Sequence, residues 1–150
     1  MDCTIYHRPC TVRPEPILKK EEIPMKKIVS TDNAPAAIGP YSQAIQFSGL
    51  LYVSGQIGID PKTGEFVEGA IEAQTEQVLE NLKAIIEEAG MTLKDVLKCS
   101  CFLKNMDDFV TFNSIYDRYF GANPPARETV EVARLPKDAL VEVSAICGVE

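Results

Sequence analysis

Three side chains near the C-terminus are the best suited to bind a small anion. Arg127 lies where the proline-containing loop "NPPA" passes into a strand, and Thr129 follows two residues later. Glu142 lies among apolar residues in the last strand-like segment. An arginine fork binds a carboxylate through two hydrogen bonds and stays charged at every relevant pH. Because a half-buried charge is costly unless it is paired, we expect Arg127 to pair with an anion, either Glu142 or the carboxylate of a ligand.

Strand alternation predicts how these side chains are arranged. The last two strands are expected over residues 127–134 and 140–148, and each has valines along one face. If the valine faces pack beneath the helices, Arg127, Thr129 and Glu142 share the opposite face. We then expect them within reach of one another across an antiparallel pair.

Two further stretches combine turns with groups that suit the lining of a pocket. "GPYS" places Tyr41 directly after a Gly-Pro turn, and "SGQIG" ends a strand at Gly55. A phenol can donate a hydrogen bond in a pocket, and a glycine lets the backbone approach a small ligand closely. Read separately, each stretch is more typical of ordinary turn chemistry.

Composition argues against several classes of function. The 150 residues carry a net charge of −7, which disfavours nucleic acid as a partner. His7 is the single histidine, so the rest of the chain cannot supply a Ser-His-Asp or Cys-His arrangement or a histidine-rich zinc site. No Walker-type loop or GxGxxG supports a nucleotide cofactor. The five cysteines are scattered, and "CSC" at 99–101 is interpreted as buried thiols rather than as a metal site.

No apolar run approaches the roughly 20 residues that a membrane span needs, so we expect a cytoplasmic protein with no membrane partner. Residues 1–24 lack helical or strand periodicity and are interpreted as a flexible extension, whereas residues 25–150 show the periodicity of one α+β domain. The predicted elements are a strand at 26–31, two short strands joined through Ser48-Gly49, a helix at 69–90, a strand at 97–104, a second helix capped by Asn105 and built on Phe109, Phe112, Tyr116 and Phe120, and the two C-terminal strands.

Six strands and two helices leave one face of the sheet uncovered. Two helices can cover one face, and the residues of the other face are not wholly polar. Self-association would bury that face, and sites between subunits would then be natural places for ligands.

Residues 25–150 resemble the Rid family of reactive intermediate or imine deaminases. The resemblance rests on "NAPAAIGPYSQA", "VSGQIG", "NMDDFVTFNSIYDRYF" and "PPARETVEVARLPKDALVEVSAI", in this order and spacing. It implies a chorismate-mutase-like α+β fold with a six-stranded mixed sheet and two helices on one face. It also implies a homotrimer with a central barrel of sheets and active sites between subunits.

The resemblance further implies an activity and a role for each site residue. Family members hydrolyse 2-imino acids, formed from enamines such as 2-aminoacrylate, to 2-oxo acids and ammonia, and they use no metal or organic cofactor. Many relatives carry cysteine at the position of Thr129. The implied site residues are Arg127 for the substrate carboxylate, Tyr41 as the active-site tyrosine, Glu142 as the acid that holds water, Gly55 for a backbone contact, Asn113 as the pocket asparagine, and Thr129 as a contact to the carboxylate.

Two other classes of function stay open at this point. A non-catalytic module that binds a 2-oxo acid or another small carboxylate would also need Arg127, although it would not need a water-holding acid beside it. A ribonuclease or translation inhibitor, the label of some relatives, fits less well with the acidic chain and its lack of a histidine pair. A holdase-like chaperone is not excluded by the residues.

Overall fold

Six strands form one mixed sheet in a computed structural model that describes residues 25–149. The spatial order is β1-β2-β3-β6-β4-β5, and all neighbours are antiparallel except β4 and β5. The α+β class and the predicted count of six strands and two helices are confirmed. The strands are β1 (Lys27–Val29), β2 (Ala44–Phe47), β3 (Leu50–Ile57), β4 (Val96–Leu103), β5 (Ala126–Glu131) and β6 (Val141–Gly148), and the helices are α1 (Ile71–Glu88) and α2 (Phe109–Phe120).

Helix α1 covers the β3–β6 half of the sheet because its apolar residues recur at helical spacing. The predicted stripe is buried from Ile71 through Val78 to Ile85, and the glutamates off the stripe are exposed. The helix stops as expected near Gly90, whose φ of 78° is a left-handed conformation that glycine adopts without strain. Inside the contact, the Asn81 side-chain amide donates to the backbone oxygens of Ile57 and Ile59 at 3.2 and 2.9 Å, which fixes the end of β3 against the helix.

Helix α2 packs beside α1 on the same face and follows a short 3-10 turn at Met106–Asp108. The predicted cap is present, since Asn105 Oδ1 accepts from the Asp107 amide at 2.9 Å. Phe112, Tyr116 and Phe120 are buried, as the helical spacing of the aromatic residues predicts. Beneath the two helices lie three buried free thiols, Cys99, Cys101 and Cys147, in agreement with their interpretation as core residues.

The other face of the sheet carries exposed apolar side chains. Ile28, Phe47, Tyr52 and Val130 are 62%, 43%, 46% and 43% exposed. Exposed apolar side chains grouped on one face are typical of an interaction surface. The prediction of an uncovered and partly apolar face is therefore confirmed for the single chain.

β1 and β5 are each at least two residues shorter than predicted, and β5 also lies at a different position in the sheet. β1 is shorter than the predicted 26–31, and β5 ends at Glu131 rather than at 134. The expected pairing of the two C-terminal strands is wrong, because β4 lies between β5 and β6. The physical reason is that β4, α2 and β5 form a strand-helix-strand unit whose two strands pair in parallel.

The predicted extension at residues 1–24, with His7, lies outside the described residues. Within residues 25–149, neither helix combines the length and apolar character needed to cross a bilayer. In the same range, no three metal-ligand side chains come together.

Candidate active site

The first cleft of interest lies beside the end of β3 and the start of β6, the two central strands, and is called the acid cleft, defined by Tyr41, Gly55 and Glu142. Its volume is about 350 Å³. The remaining lining is mostly apolar and comes from the loop before β2, the end of β3 and the loop before β6: Pro35, Ala36, Ile38, Gln43, Ser54, Gln56, Ile57, Ile59 and Pro136. The structure thus brings together three of the sequence-predicted site residues.

A β-bulge makes room for the Glu142 carboxylate. The pairing of β3 with β6 shifts between Val53 and Gln56, so that Ser54 and Gly55 together face one residue of β6. A Cβ on Gly55 would overlap Glu142 Oε1 and lie 2.8 Å from its carboxyl carbon. The absent side chain of Gly55 is therefore the space that the carboxylate occupies, which the sequence did not indicate.

Glu142 is partly buried and has no internal partner. Within residues 25–149 its carboxylate makes no hydrogen bond and no ion pair. Burial disfavours the charged form and raises the pKa of Glu142 above the ordinary glutamate value. A carboxylate with free oxygen lone pairs and a raised pKa is able to accept a proton from water.

Tyr41 is held beside this carboxylate by a buried glutamine. Gln43 Oε1 accepts from the Thr31 amide at 2.7 Å, and Gln43 Nε2 donates to the carbonyl oxygens of Thr31, Ala34 and Pro35 at 3.1, 3.2 and 2.8 Å. These bonds close the loop of residues 31–43 on itself. Tyr41 itself remains 47% exposed, and its hydroxyl oxygen accepts from the Ile38 amide at 3.4 Å, which leaves the O–H proton free to donate.

The Tyr41 loop is also tied to the bulge. The Ser54 hydroxyl donates to the Ser42 carbonyl oxygen at 2.7 Å, and the Ser54 amide donates to the Gln43 carbonyl oxygen at 2.9 Å. Gln56 Nε2 donates to the carbonyl oxygens of Ser54 and Gly55. The loop that carries the phenol is consequently fixed to the bulge that makes room for the Glu142 carboxylate.

The second cleft lies at the β5 edge of the sheet and is called the arginine cleft, defined by Asn113 and Arg127. Its volume is about 720 Å³, and helix α2 and the loop before β5 form its walls. The Arg127 guanidinium carbon lies 4.6 Å from the ring centroid of Tyr116 and 5.7 Å from those of Phe109 and Phe112. Within residues 25–149 the Arg127 side chain makes no ion pair and donates no hydrogen bond.

Thr129 lies on the same face of β5 as Arg127 but lines neither cleft. Its hydroxyl oxygen is buried and has no hydrogen-bond partner among the described residues. In the parallel register it is opposite Cys101, whose pKa is raised to about 12, chiefly by burial. The thiol is therefore protonated at neutral pH.

The expectation that Arg127, Thr129 and Glu142 share a face is wrong. The register across β5, β4 and β6 aligns Arg127 with Cys99 and Ala145 on the helix-covered face, whereas Glu142 aligns with Phe102 and Val130 on the open face. An edge strand can place an arginine under a helix because its long side chain runs along the aromatic rings to the solvent. Glu142 is thus not the partner of Arg127 within one chain.

Most of the chain matches a known protein family. The family model described as Endoribonuclease L-PSP matches residues 31–149. The chain belongs to this family, which includes the Rid proteins. A RutC family protein of Pyrococcus horikoshii is 57% identical over 122 residues, covering 81% of this chain and 97% of the relative.

Two further relatives connect the family with a fold and an activity. A protein of Salmonella typhimurium named 2-iminobutanoate/2-iminopropanoate deaminase is 49% identical over 125 residues, covering 81% of this chain and 97% of the relative. A crystal structure of YyfA from Yersinia pestis, described as a protein of unknown function of the Rid family, is 51% identical with a TM-score of 0.80, and the match covers 83% of this chain and 100% of that chain. The predicted Rid membership and fold are confirmed.

Sequence reasoning missed two groups of residues in this Rid family chain. The first is Gln43, whose signal was a polar residue directly after the "GPYS" turn and just before an apolar strand. The second is the set Phe109, Phe112 and Tyr116, which we interpreted as core only. The contact of these rings with Arg127 depends on β5 lying beneath α2, and the spacing of residues along the helix does not reveal where β5 lies.

Proposed function

We propose that this chain is a 2-iminobutanoate/2-iminopropanoate deaminase that hydrolyses reactive 2-imino acids to 2-oxo acids and ammonia. One observation carries the proposal. Residues 25–149 present two complementary half-sites, an arginine without an anion from this range and a desolvated glutamate without a cation from it. The first suits the carboxylate of a substrate, and the second suits the water that attacks it. The relative from Salmonella typhimurium supports the choice of substrate class.

The two half-sites require a second copy of the chain to form one site. Arg127 and Glu142 lie on opposite faces of the same sheet, with β4 between their strands. We propose that the arginine cleft of one subunit faces the acid cleft of its neighbour in a closed ring, a homotrimer, as the family resemblance implies. The exposed apolar side chains of the open face supply a surface for such an assembly.

In the proposed mechanism, Arg127 binds the substrate carboxylate through its fork, and Asn113 contributes a polar contact in the same cleft. Thr129 assists only if its buried hydroxyl becomes accessible in the assembly. An enamine substrate first tautomerises to the imine, and the protonated imine has an electrophilic carbon. Because Arg127 holds the carboxylate, the reacting carbon would lie at a fixed distance from the acid cleft of the neighbouring subunit.

Glu142 and Tyr41 act on the water. As the water oxygen bonds to the imine carbon, Glu142 accepts a water proton and Tyr41 donates a hydrogen bond to the developing hydroxyl group. The proton then passes to nitrogen, the carbon–nitrogen bond breaks to release ammonia, and ammonia takes up the hydroxyl proton as the carbonyl forms. One water and one iminium ion thus yield a 2-oxo acid and ammonium. Acid and base groups positioned in this way typically increase the reaction rate about 10²- to 10⁴-fold.

A binding protein for small carboxylates is the alternative that Arg127 alone would support. The desolvated Glu142, held beside Tyr41, favours the enzyme because a receptor for an anion gains nothing from a second negative charge at its site. A ribonuclease finds no support in the described residues, which have no histidine and a surplus of acids.

The proposal is tested by trapping the imine. A threonine dehydratase or an amino-acid oxidase generates the imine, semicarbazide captures what the protein leaves, and the rate of capture is measured. We expect the native chain to lower this rate, Glu142→Gln to lose about 100-fold in kcat, and the exposed-helix control Glu72→Gln to behave like the native chain. An unchanged rate of capture with the native chain would overturn the deaminase proposal.

A further inference from the structure

Three aromatic rings of helix α2 surround the charged end of Arg127. Phe109, Phe112 and Tyr116 follow one another at helical spacing, so one stripe of α2 faces the guanidinium. Phe112 is fully buried and Tyr116 is 6% exposed, whereas Phe109 is partly buried. These three residues are called the aromatic set. Tyr116 is the nearest member, with 4.6 Å between its ring centroid and the guanidinium carbon.

The aromatic set stabilises the cation without an anion. A guanidinium above an aromatic face is attracted by the ring quadrupole, and the N–H donors at its edge stay available. The adjacent acid Glu128 is paired elsewhere, since its carboxylate accepts from Lys98 at 2.8 Å and from Ser100 on the open face. An internal carboxylate partner would compete with the carboxylate of a ligand for the same donors, and the aromatic set does not.

Tyr116 makes this contact as a neutral ring. Burial, followed by the nearby Cys99 thiol, raises the pKa of Tyr116 far above its ordinary value. Its hydroxyl oxygen is buried without a hydrogen-bond partner of good geometry among the described residues. The interaction with Arg127 therefore comes from the ring face and not from a phenolate, and the hydroxyl is dispensable for it.

We propose that the aromatic set positions Arg127 for carboxylate binding, with Tyr116 as its principal member. This inference rests on the proposed function only in taking a 2-imino acid as the substrate, because the same positioning would serve any small carboxylate ligand. The members of the set are positioning residues, since they act through Arg127 and do not reach the reacting carbon.

Substitutions at Tyr116, with a matched control three residues away, test the proposal. Two quantities are measured for each variant: the Kd of 2-oxobutanoate by calorimetry, and KM and kcat in the imine-trapping assay. For Tyr116→Leu we expect Kd and KM to rise about tenfold while kcat changes less than threefold, because carboxylate binding is the same in the ground and transition states. Tyr116→Phe, which keeps the ring, should restore both values to within about twofold.

The control is Tyr119→Leu, which removes a ring of the same size from the same helix. Tyr119 packs against the core and donates to Glu80 at 2.7 Å, away from Arg127. We expect it to lower the melting temperature and leave Kd unchanged. If Tyr116→Leu does not fold, the partly buried Phe109→Leu serves in its place, with an expected rise in Kd of about threefold.

The outcomes separate this inference from the proposed function. A native chain that binds 2-oxobutanoate through Tyr116 but leaves the imine untouched would refute the deaminase and keep the positioning role. Native turnover that is lost in Arg127→Ala but is unaffected by Tyr116→Leu and Phe109→Leu would overturn the positioning role and keep the deaminase. The positioning role would also be overturned if Tyr116→Leu and Tyr116→Phe lost affinity equally, or if the native chain did not bind 2-oxobutanoate.

Discussion

The acid cleft and the arginine cleft hold opposite charges by different means. Around Glu142 the supports are hydrogen bonds that the side chains of Gln43, Ser54 and Gln56 donate to backbone carbonyl oxygens, and the charge itself is left desolvated. Around Arg127 the supports are aromatic rings, and the charge is stabilised without being neutralised. In both clefts the functional group lacks an internal partner among residues 25–149. In the proposed function, each of these two groups meets its partner outside the single chain.

The largest effect is expected where the arginine cleft loses its cation. Arg127→Ala should lower kcat/KM by at least about 100-fold, because two hydrogen bonds to a charged group are lost. Arg127→Lys should recover only part of this, since a point charge does not reproduce the fork. Steady-state kinetics on the trapped imine measures both variants. Full activity of Arg127→Ala would show that the two clefts do not cooperate.

A smaller loss is expected when the acid cleft is filled. In Gly55→Ala the added methyl group overlaps the Glu142 carboxylate, which must rotate away from its position over the bulge. We expect kcat to fall about tenfold with little change in KM, within the range for a displaced general base. The double variant Gly55→Ala with Glu142→Asp has a shorter acid and should recover part of the loss. A normal kcat in Gly55→Ala would mean that the observed carboxylate position is not the working one.

The hydrogen-bonded support of the acid cleft is probed through stability. Gln43→Ala removes four hydrogen bonds to the 31–43 loop and leaves the buried Thr31 amide unpaired, at a cost of about 1–3 kcal/mol in the free energy of unfolding. Urea unfolding measures the change. Gln46→Ala is the matched control, because Gln46 makes no side-chain hydrogen bond within the described part of the chain. Equal stability of the two variants would contradict the supporting role of Gln43.

The smallest effect is a pH dependence of stability that only the acid cleft should show. The pKa of Glu142 is raised in the folded chain, so between the ordinary value of about 4.3 and the raised one the native state holds more protons than the unfolded state. The contribution of Glu142 to stability is therefore fully present below that window and is lost as the pH rises through it. Glu142→Gln should melt at the same temperature as the native chain near pH 4 and at a higher one near pH 8. A constant difference across this range would contradict the desolvation of Glu142.

The helices and their ends were predictable from the sequence, because they are determined by residues that lie close together along the chain. The stripe from Ile71 to Ile85, the cap at Asn105 and the break at Gly90 were each visible in the sequence, and each depends on neighbours within one or two turns. Arg127, Glu142, Tyr41 and Gly55 were singled out from residue types and from strand and turn signals, whereas Asn113 came from the resemblance alone.

Relations between distant strands were less accessible. Alternation along β5 and β6 gives two faces for each strand, but it does not say which face of one matches which face of the other. The strand-helix-strand order of β4, α2 and β5 was the available signal for a parallel pair with β4 in the middle. The space that Gly55 leaves for Glu142 depends on the bulge in the β3–β6 pair, and the rings around Arg127 depend on β5 lying beneath α2.

The central claim, that one working site combines the arginine cleft of one subunit with the acid cleft of another, is tested most directly by subunit complementation. Arg127→Ala and Glu142→Ala chains are prepared separately, then unfolded and refolded together in equal amounts, and the imine-hydrolysis rate is compared with that of each variant alone. A site between subunits predicts two nearly inactive variants and a mixture that recovers about one quarter of the native activity, the statistical fraction of interfaces with both native residues. Mixed assemblies that form but stay as inactive as the separate variants would contradict the claim.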